Sequence, residues 1–345
     1  MKPFFEMQDA WVDKVGEIYA ALERVRISEE RNPNKLLLRE RSRINSVHAT
    51  TAIEGNRLSP GDVAGLISGA AVFGPPRDIL EVRNAHAAYE ALDSLDPYSV
   101  ESFLRAHGLL TNGLVAEAGA FRTVDVEVVR ADGEVLHTGA DPEIVPRAVG
   151  QLLEWAGQTE ANPLIASSAA HFMIEYIHPF RDGNGRMGRL WQTLMLSRWN
   201  ELFAWMPTET LIQDNQLGYY QALQSSHNGR VEASPFISYM LGIIEQALNQ
   251  YRTAVESRPP TIDGGVGANV GVNVGANVGA NVGVSGLDAA ILKALTENPR
   301  LASPALGEAL GKSARTIERR LAKLKAAGLL ERVGSDKTGS WRVAP

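Results

Sequence analysis

The run DGGVGANVGVNVGANVGANVGVSG at residues 263–286 does most to restrict how this chain can fold. Glycine loses more backbone entropy on ordering than any other residue, so a packed helix is unfavourable here. Glycine-rich chains behave as coils, and the run therefore predicts a flexible linker between two domains. The alternation of Val with Gly or Asn also has the two-residue period of a strand, which leaves a β-pairing segment open as the alternative.

The two sides of this linker carry opposite charge. Residues 287–345 contain 11 Lys and Arg against 6 Asp and Glu, whereas the whole chain contains 34 against 40. Residues 1–286 are therefore acidic, and residues 287–345 are basic. The chain has no cysteine, which excludes disulfides, thiolate nucleophiles and Cys-ligated zinc. No run approaches the roughly 18 apolar residues of a membrane span, so we expect a soluble, cytoplasmic protein with no membrane partner.

Upstream of the linker, most segments have the spacing of apolar residues that is typical of amphipathic helices. The predicted helices are residues 11–26, 37–54, 62–68, 79–92, 100–110, 146–156, 163–176, 185–198 and 236–255. Residues 121–137 instead alternate β-branched and polar side chains around Asp132-Gly133, a strong hairpin turn signal. A lone hairpin is marginal unless it packs on something. The pattern thus predicts a mainly α body with one hairpin, a candidate for a mobile flap or for an edge offered to a partner.

Downstream of the linker, three short helices are predicted at residues 287–296, 304–310 and 313–327, and a second hairpin at residues 330–343. This order is typical of winged-helix domains, with a wing around Lys337. The third helix would place Arg315, Arg319 and Lys323 on one face, opposite its apolar stripe. Such a basic face fits the major groove of DNA. A solvated face on a protein-interaction or dimerisation module is the alternative.

The segment HPFRDGNGRMGR, residues 178–189, lies between two predicted helices and has the pattern of an anion site. Residues 183–185 would place successive backbone N–H groups at a helix N-terminus, where the helix dipole also favours an anion. Arg186 and Arg189 rise from the first turn of that helix and are suited to bidentate phosphate contacts. An ordinary surface turn accounts for Asp-Gly-Asn-Gly alone, but not for the surrounding His and Arg.

Two further residues of this segment add chemistry to the predicted polyphosphate site. Asp182 would repel bare phosphates, so we assign it to Mg²⁺, which prefers oxygen ligands and phosphate. His178 carries an imidazole that can act as a general base near neutral pH. His171, one helix earlier, has no partner at a metal-binding spacing and is assigned to helix packing.

This segment resembles the signature of the Fic family, HPFx(D/E)GNGRxxR, with every fixed position present. The resemblance extends over about residues 40–250. It implies a protein adenylyltransferase, which moves AMP from ATP to a Ser, Thr or Tyr hydroxyl of a target protein, itself included. In that family the His is the base, the acidic residue holds Mg²⁺, and the arginines and N–H groups bind the phosphates of ATP. Gly188 stands at a variable position where bulkier residues are usual. The roles carry over to the catalytic His178 and to the ATP-binding Asp182, Gly183, Asn184, Gly185, Arg186, Met187, Gly188 and Arg189.

A second motif, TTAIEGN at residues 50–56, resembles the inhibitory motif of the same family, (S/T)xxxE(G/N). Its matching residues are Thr50, Glu54 and Gly55. The resemblance implies that Glu54 reaches Arg189 and occupies the guanidinium that the γ phosphate needs. The alternative is an ordinary helix C-terminus with Gly55 just beyond it.

The nucleotide pocket is implied at two more places. Tyr219 and Tyr220 match a pair of tyrosines near the nucleotide, where a ring can stack on a purine; helix packing is the alternative. The flap residues that resemble the family's nucleotide-covering strand, which aligns the target by β-augmentation, are Val124, Asp125, Val126 and Glu127.

We therefore expect a mainly α Fic-fold helical bundle with a β-hairpin flap, plus a small C-terminal winged-helix domain. The predicted regions are an N-terminal helical region with the inhibitory helix (1–110), a Fic catalytic core (111–258), the linker (259–286) and a winged helix-turn-helix domain (287–345). ATP and Mg²⁺ are the expected substrate and cofactor, and a target protein and DNA the expected partners; a homodimer is allowed. The alternatives are a DNA-binding regulator that only senses nucleotide, an enzyme that removes AMP, and transfer of UMP, phosphocholine or phosphate.

Overall fold

The computed structural model describes residues 3–129, 135–227 and 231–256, together with parts of 291–343. The chain divides into two compact units, Met1–Gly264 and Gly265–Pro345. The predicted linker and the turn at Asp132-Gly133 lie outside the described residues. Within the described residues, no helix is both long enough and apolar enough to cross a membrane.

The first unit is built almost entirely of helices. Its helices are α1 (Asp9–Glu30), α2 (Lys35–Ile53), α3 (Pro60–Ile67), α4 (Pro76–Glu90), α5 (Val100–Thr111), α6 (Val145–Gln158), α7 (Pro163–Ile177), α8 (Asn184–Trp199), α9 (Thr208–Asp214), α10 (Gln216–His227) and α11 (Ser234–Glu256), with short 3-10 turns at Leu92–Ser94 and Glu201–Trp205. All the helices predicted upstream of the linker are present, within a few residues of their predicted ends. α9 and α10 are additional, and in α10 the exposed Leu217 and Tyr220 break the apolar stripe by which a helix is identified.

Several helix starts follow from residues that satisfy the free N–H groups of a first turn. Ser59 and Asp62 form a capping box at the start of α3. Ser99 caps α5 by accepting from the N–H of Ser102, and Asn162 caps α7. These caps set where the helices that frame the site begin.

α7 is the central helix, and nearly all of its side chains are buried. It packs against α8 and α11, and one apolar core continues from Trp11 in α1 to Val255 in α11. The predicted N-terminal region and catalytic core therefore share a single core. His171 of α7 has the predicted packing role: its ring nitrogens face Gln192 Oε1 at 2.7 Å and the Tyr219 hydroxyl at 3.0 Å.

The predicted flap is an antiparallel hairpin of β1 (Glu127–Val129) and β2 (Val135–Thr138), with Glu127 opposite Thr138. It is shorter than the predicted segment, because the chain before Glu127 is not strand. That preceding stretch instead contributes its carbonyl groups to contacts at the base of the flap.

In the second unit the described elements are α12 (Ala314–Ala326) and an antiparallel pair, β3 (Leu330–Val333) and β4 (Ser340–Val343). A small separate core includes Ile317, Leu321 and Leu324 of α12. These elements agree with the predicted third helix and wing. Most of the two earlier helices, the wing tip with Lys337, and the side chains of Arg315 and Lys323 lie outside the described residues, whereas Arg319 is exposed.

Candidate active site

The loop between α7 and α8 reverses the chain through two residues in the left-handed region. His178, the residue after α7, has φ 52, and it is the one non-glycine residue with positive φ in the described part of the chain. Gly183, the N-cap of α8, has φ 88, and a side chain there would come within 3.0 Å of Thr111. Glycine adopts positive φ without strain, whereas a non-glycine residue such as His178 does so only where its surroundings impose it, and such residues concentrate at functional sites. The loop thus brings His178 and the N-terminus of α8 together.

The side chain of Asn184 closes this loop. Its Oδ1 accepts from the N–H of Phe180 at 2.9 Å, and its Nδ2 donates to the carbonyl of Phe180 at 2.8 Å. The Phe180 ring is buried and stacks on His107 at a centroid distance of 3.6 Å. The side chain of Asn184 therefore holds the loop, while its position at the first turn of α8 leaves the backbone there for an anion.

His107 of α5, which sequence reasoning missed, fixes the loop from the other side. Its Nδ1 accepts from the N–H of Gly119 at 3.0 Å, so the proton belongs on Nε2, which donates to the carbonyl of Asp182 at 3.0 Å. Burial lowers the pKa of His107 to about 4 and keeps the ring neutral. This tautomer aligns the peptide that leads into Gly183.

Arg122 is a second residue that the sequence did not single out. Its guanidinium is buried and donates to carbonyl oxygens on both sides of the flap base, Val124 at 2.7 Å and Ala140, and to the carbonyl of His178 at 2.7 Å. The N–H of Arg122 also donates to the carbonyl of Pro179 at 3.0 Å. One side chain thus joins the base of the flap to the catalytic loop.

The predicted flap residues lie at this base or continue from it. Val124 and Asp125 are exposed, the Val126 carbonyl accepts from the N–H of Gly139 at 3.0 Å, and Glu127 begins β1. A side chain at Gly139 would lie 3.2 Å from the Cβ of His178. The flap therefore starts beside His178, the predicted general base.

His178 is partly buried, and its Nδ1 lies 3.3 Å from the carbonyl of Glu175. A proton on Nδ1 facing this carbonyl leaves Nε2 free to accept one. Burial lowers the pKa of His178, although the Glu175 carboxylate opposes the shift. The imidazole is therefore neutral at pH 7 and suited to act as a base.

Arg186 and Asp182 form a charged cluster with two residues of α4 that were not predicted. Arg186 is buried, and its guanidinium lies 3.3 Å from Glu81 Oε1 and 3.0 Å from Asp182 Oδ1. Arg77 lies 3.2 Å from Asp182 Oδ2 and is largely exposed. Two carboxylates thus fix the position of the Arg186 guanidinium at the N-terminus of α8.

Asp182 is chemically suited to the predicted Mg²⁺. Its side chain is 38% exposed, and Mg²⁺ at nucleotide sites takes one or two carboxylates while phosphates and waters supply its other ligands. Among the described residues, no group of three His, Asp or Glu could hold a metal ion without such help. Asp182 therefore fits Mg²⁺ that arrives together with a nucleotide.

Arg189 makes the predicted contact with the N-terminal motif. Its Nη2 lies 2.6 Å from Glu54 Oε1, and its Nε donates to Thr50 Oγ1 at 3.0 Å. Burial lowers the pKa of Arg189, but Glu54, Tyr219 and Glu175 together outweigh this effect and leave the pKa raised. A Cβ at Gly185 would lie only 2.5 Å from Glu54 Oε1, so this carboxylate rests on the first turn of α8. Gly55 has φ 92, as expected just beyond a helix end.

The two tyrosines have different surroundings. Tyr219 is buried, and its hydroxyl donates to Glu175 Oε1 at 3.1 Å. The enclosure of its ring favours the packing alternative, and a role of Tyr219 beside the nucleotide stays a prediction. Tyr220 is 45% exposed and remains available to stack on a base.

Comparison with known proteins gives a family match for each of the two units. The Fic/DOC family matches residues 97–196, and the AsnC-type helix-turn-helix domain matches residues 279–325, beginning inside the predicted linker. The crystal structure of a Fic family protein from Desulfovibrio desulfuricans G20 is similar with a TM-score of 0.68 and 33% sequence identity, over 100% of this chain and 98% of that one. This chain belongs to the Fic/DOC family.

Curated relatives extend the comparison to named proteins. Protein adenylyltransferase fic-1 of Caenorhabditis elegans is 30% identical over 228 residues, which are 63% of this chain and 42% of the relative. Protein adenylyltransferase Fic of Nematostella vectensis is 24% identical over 225 residues, 62% of this chain and 49% of the relative. The chain spans less than half the length of these curated relatives.

Proposed function

We propose that this protein is a protein adenylyltransferase that transfers AMP from ATP to a Ser, Thr or Tyr hydroxyl of a target protein, itself included. The observation that carries the proposal is the loop between α7 and α8, which brings neutral His178 beside a helix N-terminus flanked by Arg186 and Arg189. A base next to an anion site is what attack on a phosphate ester requires. The names of the curated relatives support the same activity.

In the proposed reaction His178 Nε2 takes the proton of the incoming hydroxyl while that oxygen attacks the α-phosphorus in line. A bond forms between the hydroxyl oxygen and the α-phosphorus, the bond from the α-phosphorus to the bridging oxygen breaks, and pyrophosphate leaves. The N–H groups at the start of α8 and Arg186 bind the α and β phosphates, and Arg189 binds the γ phosphate. Asp182, together with the phosphates, would hold Mg²⁺, and the metal would supply positive charge to balance that of the leaving pyrophosphate.

We further propose that Glu54 inhibits this reaction within the same chain. Its carboxylate lies 2.6 Å from Arg189 Nη2, and a γ phosphate needs the same guanidinium. The carboxylate also lies against Gly185, which adds negative charge where the phosphates would bind. ATP would then bind in a pose that does not favour transfer.

The test compares wild-type, Glu54→Gly and His178→Ala proteins, each incubated with a lysate and with labelled ATP, UTP, CTP or GTP. We expect AMP on Ser, Thr or Tyr side chains, most of it with Glu54→Gly and none above background with His178→Ala, as measured by mass spectrometry. If Glu54→Gly labels no protein with any nucleotide, itself included, the chain is a nucleotide sensor and not a transferase.

We also propose that the second unit binds DNA. It is favoured by the match to an AsnC-type helix-turn-helix domain and by the basic composition of residues 287–345. On α12 the side chain of Arg319 is exposed. DNA binding would place the transferase at a chosen locus, and fluorescence anisotropy with duplex DNA tests it.

A further inference from the structure

We propose that Glu209 is a positioning residue that sets the register of α2 on α8 and thereby keeps Glu54 on Arg189. The inference rests on the proposed inhibition by Glu54 and names residues that would act through it. Glu209 lies in α9, and only 1% of its surface is exposed. It belongs to none of the motifs discussed above.

The Glu209 carboxylate is held by hydroxyl groups from three other helices. Oε2 accepts from Ser46 of α2 at 2.8 Å, and Oε1 accepts from Tyr89 of α4 at 2.6 Å and from Thr193 of α8 at 3.1 Å. Thr208 of α9 donates to Oε2 at 3.2 Å. Burial raises the pKa of Tyr89, and the nearby Glu209 raises it further, so the phenol keeps the proton that it donates.

Among the described residues no Lys, Arg or His lies within ion-pair distance of Glu209, although the buried Arg43 interacts with it at longer range. A buried carboxylate is costly unless it is hydrogen-bonded, and here hydroxyl groups supply those bonds. If α2 moved along α8, Ser46 would leave Glu209, and the buried carboxylate would lose one of its four hydroxyl donors. Losing a hydrogen bond to a buried carboxylate is less favourable than breaking an exposed hydrogen bond. Glu209 therefore favours one register of α2.

This register is the one in which Glu54 meets Arg189. Ser46, Thr50 and the C-cap residue Glu54 are spaced four residues apart, so Glu54 continues the face of α2 on which the other two lie. Arg189 and Thr193 are likewise one turn apart on α8. Two sets of hydrogen bonds therefore join the helices. Ser46 is connected to Thr193 through Glu209, and one turn later along α2 Thr50 contacts Arg189 directly. Because the first set fixes α2 relative to α8, it limits how far Thr50 can move from Arg189.

The test uses the full-length chain and measures AMP transfer to itself from labelled ATP. Ser46→Ala removes one donor and leaves the carboxylate with its other partners. Glu209→Gln keeps the volume of the side chain but replaces an acceptor oxygen with an amide donor. We expect either change to raise transfer by roughly fivefold, the lower end of usual coupling between sites. Melting curves confirm that each variant is folded under the assay conditions.

Thr51→Val is the matched control. Thr51 is buried like Ser46 and lies on the same helix, but its hydroxyl donates only to the carbonyls of Val47 and His48 within α2. The change removes a hydroxyl with little change of shape, and we expect transfer at the wild-type level. If Thr51→Val raises transfer as much as Ser46→Ala, general loosening of α2 explains the effect and the inference is wrong.

The same substitutions in a Glu54→Gly background separate this inference from the proposed inhibition. We expect Ser46→Ala and Glu209→Gln to add nothing there, because they act only through Glu54. A further rise in that background, or wild-type transfer by both variants when Glu54 is present, would overturn the positioning role. If Glu54→Gly alone left transfer unchanged, the proposed inhibition itself would be wrong.

Discussion

The guanidinium of Arg189 cannot pair fully with Glu54 and with a γ phosphate at the same time. It is buried, and its Nη2 and Nε are engaged by Glu54 and Thr50. A charge-assisted contact of this kind is among the stronger ones in proteins. At this residue the competition between an internal carboxylate and a ligand phosphate would decide whether ATP binds productively.

Removing the carboxylate should therefore activate the enzyme. We expect Glu54→Gly to raise transfer by about 10- to 100-fold, within the usual range of coupling energies, as measured by incorporation of labelled AMP. Glu30→Gly is the matched control, since Glu30 is an exposed glutamate at the end of α1.

Accumulation of AMP-protein could also arise because Glu54 positions a water for AMP removal. A chase decides this: modified target is mixed with wild-type protein without ATP. Release of AMP would assign Glu54 a hydrolytic role, and no release would leave inhibition as its role.

The pH profile reports the state of His178. As a base it must be unprotonated, and burial lowers its pKa from the ordinary 6.5. Transfer should therefore persist below pH 6.5 and fall only as the lowered pKa is reached. We also expect His178→Ala to reduce transfer by about 10²- to 10⁴-fold with ATP binding retained. An acid limb above pH 6.5 in the Glu54→Gly protein would contradict the assignment.

At the scale of elements, the loop between α7 and α8 is shaped by contacts from α5. His107 donates to the carbonyl of Asp182 and accepts from Gly119, while its ring stacks on Phe180. The phosphate-binding turn thus owes its geometry to a helix about 75 residues earlier in the chain.

Replacing His107 with Phe keeps the stacked ring but leaves both hydrogen-bonding groups without partners. We expect the free energy of unfolding to fall by about 1–3 kcal/mol at pH 7, and the KM for ATP to rise. Denaturant titration measures the first effect.

The pH dependence of this change has a definite sign. Because the pKa of His107 is lowered to about 4 in the folded protein, the unfolded chain binds the proton more readily. The stability that neutral His107 provides is present above pH 6.5 and is lost as the pH falls towards 4. The difference between wild type and His107→Phe should shrink over that interval. A difference that stays constant between pH 7 and pH 4 would contradict the assigned tautomer and burial.

At the scale of the whole molecule, the two units carry opposite charge, and DNA binding is expected from the basic one. Neutralising the predicted basic face in the full chain should weaken binding and flatten the salt dependence by about one unit for each phosphate that is no longer neutralised. The substitutions are Arg315→Ala, Arg319→Ala and Lys323→Ala together. A control with the same change of charge uses the exposed Arg24, Arg31 and Arg83 of the first unit. Anisotropy titrations at low salt that detect no binding would favour a protein-interaction role.

The features that the sequence predicted are those encoded locally or in a long motif. The helices follow from apolar spacing, the flap from its alternation, and the approach of Glu54 to Arg189 from two motifs read together. Contacts made by single side chains across the chain were not predictable. Ser46 and Glu209 are 163 positions apart, and nothing near either residue marks their pairing. The enclosure of Tyr219 likewise depends on α7 and α11, not on its own segment.

The crowding at Gly185 limits how mutation can release the protein from inhibition. Any larger residue there would collide with Glu54 Oε1, since even a Cβ would lie 2.5 Å away, and 3.1 Å from Arg189. Such a mutation would expel the inhibitory carboxylate, but it would also fill the turn where phosphate must enter. Selection for a permanently active form therefore has little to gain at position 185. Substitution at position 54 is the direct way to remove the inhibition, because that side chain can be removed without altering the phosphate-binding turn.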